Sequence, residues 1–188
     1  QNFRGFSRRL STSKPSLPSF TERTGLSGSV VCAVDLIKGI GICAGMHVPY
    51  VEGATGTLDT NYRGKADTAL EELKTHDLVY IHVEAPDECG HQGNTADKIK
   101  AIENIDEYIL RPVMKELERR GEHFRLLLLP DHPTPIALRT HVREPIPFVI
   151  YDSEDHPQSG VPSYFDHSGD NGVFVADGDK LIDMLIRK

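Results

Sequence analysis

Two short apolar runs, residues 78–83 and 124–129, each give way within a few residues to a proline, and each is followed by an aspartate and a histidine. The first, Leu78-Val79-Tyr80-Ile81-His82-Val83, is rich in β-branched and aromatic residues and reads as a strand. Pro86 stops it, because a proline has no N–H to give a central ladder. Asp87 and His91 follow at a spacing of four, which on a helical turn puts both on one face. Glu84 and Glu88 are close by, and Gly90 removes bulk beside His91. The second run, Phe124-Arg125-Leu126-Leu127-Leu128-Leu129, suits a strand covered on both faces, as in a parallel sheet. It ends in Pro130-Asp131-His132-Pro133-Thr134-Pro135. His141 comes nine residues after His132, ahead of Pro145-Ile146-Pro147 and a third apolar run at 148–151. Strands that deliver Asp and His past their carboxyl ends place them where open α/β sheets bind ligands. Carboxylates and imidazoles without thiolates suit Mn²⁺, Mg²⁺ or Zn²⁺. The plain alternative is a capped turn at 131–132 and a solvated histidine at 141. It requires five such residues to fall in these places by accident.

The segment between the two strands predicts a helix capped by Asn94 or Thr95. Its stripe of Ile99, Ile102, Ile105, Ile109, Val113 and Leu117 faces the core. Pro112 kinks it or ends its regular part, and Gly121 closes it. Strand, helix, strand in that order predicts a right-handed parallel unit, with both Asp/His sets on one sheet edge. Upstream, residues 30–34 read as a strand and 35–46 as a helical segment capped by Asp35. Residues 65–74 read as a short amphipathic helix carrying Ala66, Ala69, Leu70 and Leu73. Past Tyr151 the chain turns polar. Asp166-His167 has no preceding strand and reads as a loop, 173–175 as a short edge strand, and 177–186 as a last helix with Leu181, Met184 and Leu185 inward.

Gly53-Ala54-Thr55-Gly56, with Gly64-Lys65 beyond, invites a phosphate-loop reading. The required Gly-x-x-x-x-Gly-Lys-Ser/Thr pattern fails, since position 59 is Asp and 66 is Ala. The glycines still allow backbone N–H groups to approach an anion, with Asn61 and Lys65 as helpers. Lys38, by residue type, is a snorkelling surface lysine.

The quoted motifs, together with Ala33-Val34-Asp35-Leu36-Ile37-Lys38-Gly39 and Gly53-Ala54-Thr55-Gly56-Thr57-Leu58-Asp59-Thr60-Asn61-Tyr62, resemble cofactor-independent phosphoglycerate mutases of the archaeal type, in the alkaline phosphatase superfamily. The resemblance runs from about residue 17 to the end. It implies an α/β fold: a mostly parallel sheet flanked by helices, an alkaline-phosphatase-like core incomplete on its N-terminal side. It implies two divalent cations and no bisphosphoglycerate. Asp87, His91 and His141 would hold one ion, Asp131 and His132 would contribute to the other, and Lys38 would meet a phosphate. The substrate would be a phosphorylated small molecule and the compartment the cytoplasm. The family also needs an early Asp and a Ser that is transiently phosphorylated. Neither has a counterpart here: Ser7, Ser11, Ser13, Ser16 and Ser19 sit in a linker-like start with no adjacent base. The expectation is therefore a C-terminal part of a longer enzyme, inactive alone, whose partner is the missing N-terminal part of the same polypeptide. Related phosphoryl or phosphonate enzymes (homoserine kinase-like), a non-catalytic metal-binding domain and a plain α/β module are the other readings.

Charge and composition exclude further classes. Residues 1–19 carry Arg4, Arg8, Arg9 and Lys14 and no acid, and read as a linker or flexible tail before a domain at 20–188. The remaining 17 cations face all 28 acids, so the rest of the chain carries −11. Four scattered cations make no basic face for nucleic acid. No apolar run approaches the ~20 residues that span a bilayer. Three cysteines, Cys32, Cys43 and Cys89, form no paired framework and fit a reducing compartment, with Cys89 a small filler.

Overall fold

The computed structural model of the chain describes residues 17–155 and 161–186. It opens on a capping box: the Ser19 hydroxyl accepts from Glu22 N, and the Glu22 carboxylate accepts from Ser19 N, starting α1 (Phe20–Thr24). Ser19 thus belongs to a folded element, while residues 1–16 of the expected tail lie outside the described residues.

Strands β1 (Gly28–Val31) and β2 (Leu78–Ile81) pair in parallel, Gly28 opposite Leu78 and Val31 opposite Ile81. All four residues of β1 are buried, so no polar alternation marks it in the sequence. Between them run α2 (Asp35–Cys43) and α3 (Tyr62–Glu72). Asp35 does not cap α2. Val34 occupies that position, and Asp35 sits in the first turn, where its charge favours the positive helix end. Asn61 caps α3: its Oδ1 accepts from Gly64 N and its Nδ2 donates to Glu52 O, both at 2.8 Å. The helix therefore starts at Tyr62, ahead of the expected Lys65, and turns Tyr62, Ala66 and Ala69 inward.

Helix α4 (Ala85–Gln92) leaves β2 with Pro86 in its first turn, where a missing N–H removes no bond. Asn94 then caps α5 (Thr95–Ile105), a π turn spans Asp106–Leu110, and α6 (Arg111–Arg120) ends at Gly121 in the left-handed conformation. The π turn is how Pro112 interrupts the regular helix. It also corrects the predicted stripe. Ile109, Val113 and Leu117 are buried, but Ile99 and Ile102 are each 54% exposed and Ala101 is buried in their place. One extra residue in a turn rotates everything beyond it by about 100°. A stripe read at constant period across residue 106 therefore misplaces Ile99 and Ile102, while Ile105 still packs against the core. The core that results joins Tyr62, Ala66, Ala85, Ala101, Ile109, Val113 and Leu117.

Strands β3 (Arg125–Leu128) and β4 (Val149–Asp152) form a second, antiparallel pair, Leu128 opposite Val149. The expected parallel unit of β2 and β3 does not form among the described residues: β3 takes β4 as its partner. The connection from 129 to 148 leaves β3 and returns beside it, carrying Asp131, His132, Thr134 and His141 together. Residues 173–175 join neither ladder. Val173 and Phe174 are more than two-thirds exposed, since an apolar triplet without a backbone partner cannot make a strand. A 3₁₀ turn (Gly178–Lys180) and α7 (Leu181–Ile186) end the described chain, with Leu181 buried and Met184 exposed, not inward. No helix among the described residues is long and apolar enough to cross a membrane.

Candidate metal centre

Helix α4 stacks Asp87 and His91 on successive turns, Asp87 Oδ2 lying 3.3 Å from His91 Nε2. From the β3–β4 connection, His141 brings its Nε2 to 3.3 Å from Asp87 Oδ1 and 3.0 Å from His91 Nε2. The orientation of His91 is set from behind. Its Nδ1 lies 3.0 Å from the carbonyl oxygen of Arg139, which only accepts, so Nδ1 carries the proton. In the neutral ring Nε2 then offers a lone pair toward a carboxylate and a second imidazole. A carboxylate oxygen and two imidazole nitrogens meeting at one point offer lone pairs that a single cation can share, and these three donor atoms are the right types for a divalent metal.

The connection is pinned to α4 and α5 by side chains rather than by a ladder. The buried Thr134 hydroxyl donates to Asp87 Oδ1 and lies 3.3 Å from His132 Nδ1. Lys98 Nζ donates to Thr134 O at 2.7 Å, and Val142 N donates to Pro133 O at 3.2 Å. Gly90 makes room for this approach: a Cβ there would stand 2.7 Å from Thr134 O and 3.0 Å from Lys98 Nζ. Gly90→Ala is expected to destabilise the fold by about 1–3 kcal/mol, since backbone must shift, read by urea unfolding. It should also loosen metal retention in equilibrium dialysis. Arg139, whose carbonyl holds His91, is the described non-glycine residue with positive φ, at 54°. That conformation costs about 1–2 kcal/mol and is held by His91 and by packing of its guanidinium on Gly93. Sequence reading missed Thr134 and Arg139, because neither residue type signals a supporting role.

Of the five expected ligands, three form one set and two stand at its margin. His132 lies with its ring centroid 3.7 Å from that of His141 and its Nδ1 3.9 Å from Asp87 Oδ1. Asp131 is reached through it, 3.3 Å from His132 Nε2, and also accepts the His132 backbone N–H. An acidic set of Glu84, Asp87 and Glu88 adjoins them. Burial pushes the Glu84 carboxyl up, Glu88, Asp87 and Asp131 add to this, and Lys65 opposes it.

The three expected substrate contacts are placed differently. Lys38, on α2 just past the carboxyl end of β1, is partly exposed with Nζ 3.0 Å from Asp35. Asn61 spends both ends of its amide on the α3 cap and on Glu52. Lys65 is fully buried, its Nζ donating to His82 O at 3.0 Å, and burial pulls its pKa down to about 8 against the pull of Cys32 and Glu84. Lys65 therefore stands behind the surface of the site, while Asn61 is exposed but spent on its own segment. The glycine turn serves its own chain: Thr55 N and Thr57 N are taken by the hydroxyls of Thr60 and Thr55, and Gly56 leaves room for the Glu84 carboxylate. His82 is a further residue missed in the sequence. Its buried Nδ1 has no hydrogen-bond partner, and burial pulls its pKa down while nearby Asp131 raises it. A histidine closing an apolar strand was the available signal. Cys89 is buried and burial pushes its thiol up, as a filler requires.

A family model described as the metalloenzyme superfamily matches residues 9–182. The chain belongs to the metalloenzyme superfamily. Membership implies a bound divalent metal, and Asp87, His91 and His141 have the donor types and spacing to hold it. Among similar members, a probable 2,3-bisphosphoglycerate-independent phosphoglycerate mutase of Geobacter sulfurreducens is 50% identical over 173 residues, covering 92% of this chain and 43% of that protein. A protein of Methanosarcina acetivorans, named 2,3-bisphosphoglycerate-independent phosphoglycerate mutase, is 51% identical over 174 residues, covering 92% of this chain and 44% of its own length. Among solved structures, a Pyrococcus horikoshii protein superposes with a TM-score of 0.79 at 25% identity, over 90% of this chain and 50% of its own. The cofactor-independent phosphoglycerate mutase of Thermoplasma acidophilum gives 0.64 at 25% identity, over 92% and 40%. The motif resemblance to such mutases, and the α/β fold it implied, are thus borne out within the superfamily. The chain spans less than half the length of these curated relatives.

Proposed function

We propose that this chain is the metal-binding part of a 2,3-bisphosphoglycerate-independent phosphoglycerate mutase, which interconverts 3-phosphoglycerate and 2-phosphoglycerate through a phosphorylated serine. The observation that carries this reading is the meeting of Asp87, His91 and His141 from α4 and the β3–β4 connection, in a chain about half identical to proteins so named. Two divalent ions, Mn²⁺ being one candidate beside Mg²⁺ and Zn²⁺, would be held by that set and by Asp131 with His132. When bound, such ions neutralise a transferring phosphoryl group and stabilise the oxygens that attack and leave. The chain's own residues prepare the place. Arg139 O and Thr134 Oγ1 hold His91 and Asp87 in their binding orientations. Lys38, at the carboxyl edge of the parallel pair, offers a cation to a substrate phosphate. Lys65 adds its charge from beneath, and Asn61 keeps the glycine turn and the start of α3 in place.

Among the described residues, the hydroxyl on the Asp87 carboxylate is that of Thr134, which is spent on holding it. The reacting serine is therefore proposed to come from polypeptide other than these 188 residues. The reaction would serve glycolysis in the cytoplasm. The complete gene product, purified and assayed on 3-phosphoglycerate without added bisphosphoglycerate, is expected to form 2-phosphoglycerate, to stop after dialysis against a chelator and to recover with Mn²⁺. The 188-residue chain alone is expected to show no turnover. A complete gene product inactive on phosphoglycerates, or an active isolated chain, overturns the corresponding half of the proposal.

A further inference from the structure

A second set of metal-type side chains lies at the other end of the parallel pair. The centre above sits past the carboxyl ends of β1 and β2, whereas His47, Glu72 and His76 gather by their amino ends. His47 runs beside β1, its N–H donating to Gly28 O at 2.9 Å and its carbonyl accepting from Val30 N at 2.8 Å, in a parallel bridge with Ser29. Glu72 is the last residue of α3, and His76 follows one turn later, its N–H donating to Glu72 O at 2.9 Å. Three different backbone anchors thus fix the three side chains.

Their donor atoms converge on one carboxylate oxygen. His47 Nδ1 is 2.6 Å and His76 Nδ1 is 3.4 Å from Glu72 Oε2, with the two rings within 1° of parallel. Donors bound about 2.0–2.1 Å from a tetrahedral zinc ion stand roughly 3.3 Å apart, so an ion fits with sub-ångström shifts. His76 Nδ1 can give up its proton without leaving an acceptor unserved. Glu72 O, 3.2 Å from it, already accepts the His76 backbone N–H and lies 3.4 Å from the Thr75 hydroxyl. The end of α3 adds the partial negative charge of a helix C-terminus. A second, independent observation points the same way. Ser29 is fully buried beside the Glu72 carboxylate, and its Oγ has no hydrogen-bond partner. Glu72 stands beside two imidazoles, one of which, His47, is half-exposed and leaves a fourth position open to water.

We propose that His47, Glu72 and His76 form a separate site for a divalent transition-metal ion of the zinc type, tying the segment after α2 to the end of α3 and the entry of β2. Two imidazoles, one carboxylate and no thiolate form a set that zinc accepts with one position open. The proposal is independent of the mutase reading, because none of these residues touches the centre at Asp87.

The test uses the full chain carrying Asp87→Asn, His132→Ala and His141→Ala, which removes both ion positions of the first centre, and Zn²⁺ alone as the probe. One equivalent of Zn²⁺ is expected to remain bound. His76→Gln or His47→Gln added to that background is expected to weaken it by about 100-fold or more. Zn²⁺ should raise the thermal midpoint of the background protein and not of these variants. His47→Gln, at a half-exposed position, guards against failure to fold, checked by circular dichroism. In imidazole ¹⁵N spectra, the nitrogens shifted by Zn²⁺ should be Nδ1 of His47 and His76. No Zn²⁺ in the background protein, equal affinity in the His47→Gln variant, or shifts confined to other histidines overturns the site and leaves the cluster a hydrogen-bonded one.

Discussion

Asp87→Asn is expected to weaken divalent-metal binding at the centre by about 100-fold or more while the fold stays intact. Asp87 is the carboxylate that both His91 and His141 approach, each at 3.3 Å, so its charge faces both imidazoles of the set. Asparagine preserves the shape and still accepts from Thr134, so the connection remains docked on α4. What it changes is the charge. Its amide N–H can donate to the His91 Nε2 lone pair and so competes with metal. His141→Ala should act in the same direction, and it also tests the β3–β4 connection as the source of a ligand. Titration calorimetry with Mn²⁺, or with Zn²⁺ in a His47→Gln background so that the second cluster does not contribute, measures the effect. Unchanged affinity in both Asp87→Asn and His141→Ala would place the metal elsewhere and remove the physical basis of the mutase reading.

The candidate ligands were legible because metal chemistry restricts residue type, and because spacing on a helix is a local property. Asp87 and His91 at i and i+4 needed only α4 to form, and Pro86, legible as a strand stop, falls in its first turn. His141 was legible as a residue type on a loop after a strand. Its route to the centre was not. The expectation of neighbouring parallel strands gave the right convergence for a partly wrong reason, since β3 pairs with β4 and Thr134, Lys98 and Arg139 do the docking. Those three are invisible to pattern reading because their work depends on atoms brought together by the tertiary fold. The π turn at 106–110 defeated the helical stripe in a similar way: one inserted residue changes the phase of everything before it without changing the composition. Lys65 was legible as a cation near a glycine turn, but whether a lysine ends in water or under the sheet depends on how Tyr62, Ala66 and Ala69 pack α3.

Lys65→Met is expected to stabilise the fold near neutral pH, by an amount that shrinks as the pH is raised. Lys65 is fully buried and its pKa is about 8, against an ordinary value of 10.5. Below pH 8 the side chain is charged in folded and unfolded chains alike, and the desolvation penalty is present in full. Between about 8 and 10.5 the unfolded chain binds more protons than the folded one, so stability gained from this group rises with pH; above 10.5 the penalty is gone. A difference of that size corresponds to about 3 kcal/mol. Methionine fills nearly the same volume without a charge but forfeits the bond to His82 O, worth about 1 kcal/mol. The net gain at pH 7 is thus about 1–2 kcal/mol, and urea unfolding of both proteins from pH 7 to 10.5 should show the difference vanish and then reverse. The comparison matters because burial also pushes the Cys32 thiol up, which works in the opposite sense over an overlapping range. Only the difference between variant and parent isolates Lys65, together with its own pull on Cys32. A stabilised Lys65→Met would mean that the chain carries a destabilising cation beneath Glu84, within the field of the acidic residues around the centre, which is the expected signature of a charge kept for function. A variant less stable than its parent at pH 7 would instead show that His82 O and Glu84 compensate the buried charge, and Lys65 would then be a structural pin between α3 and the end of β2.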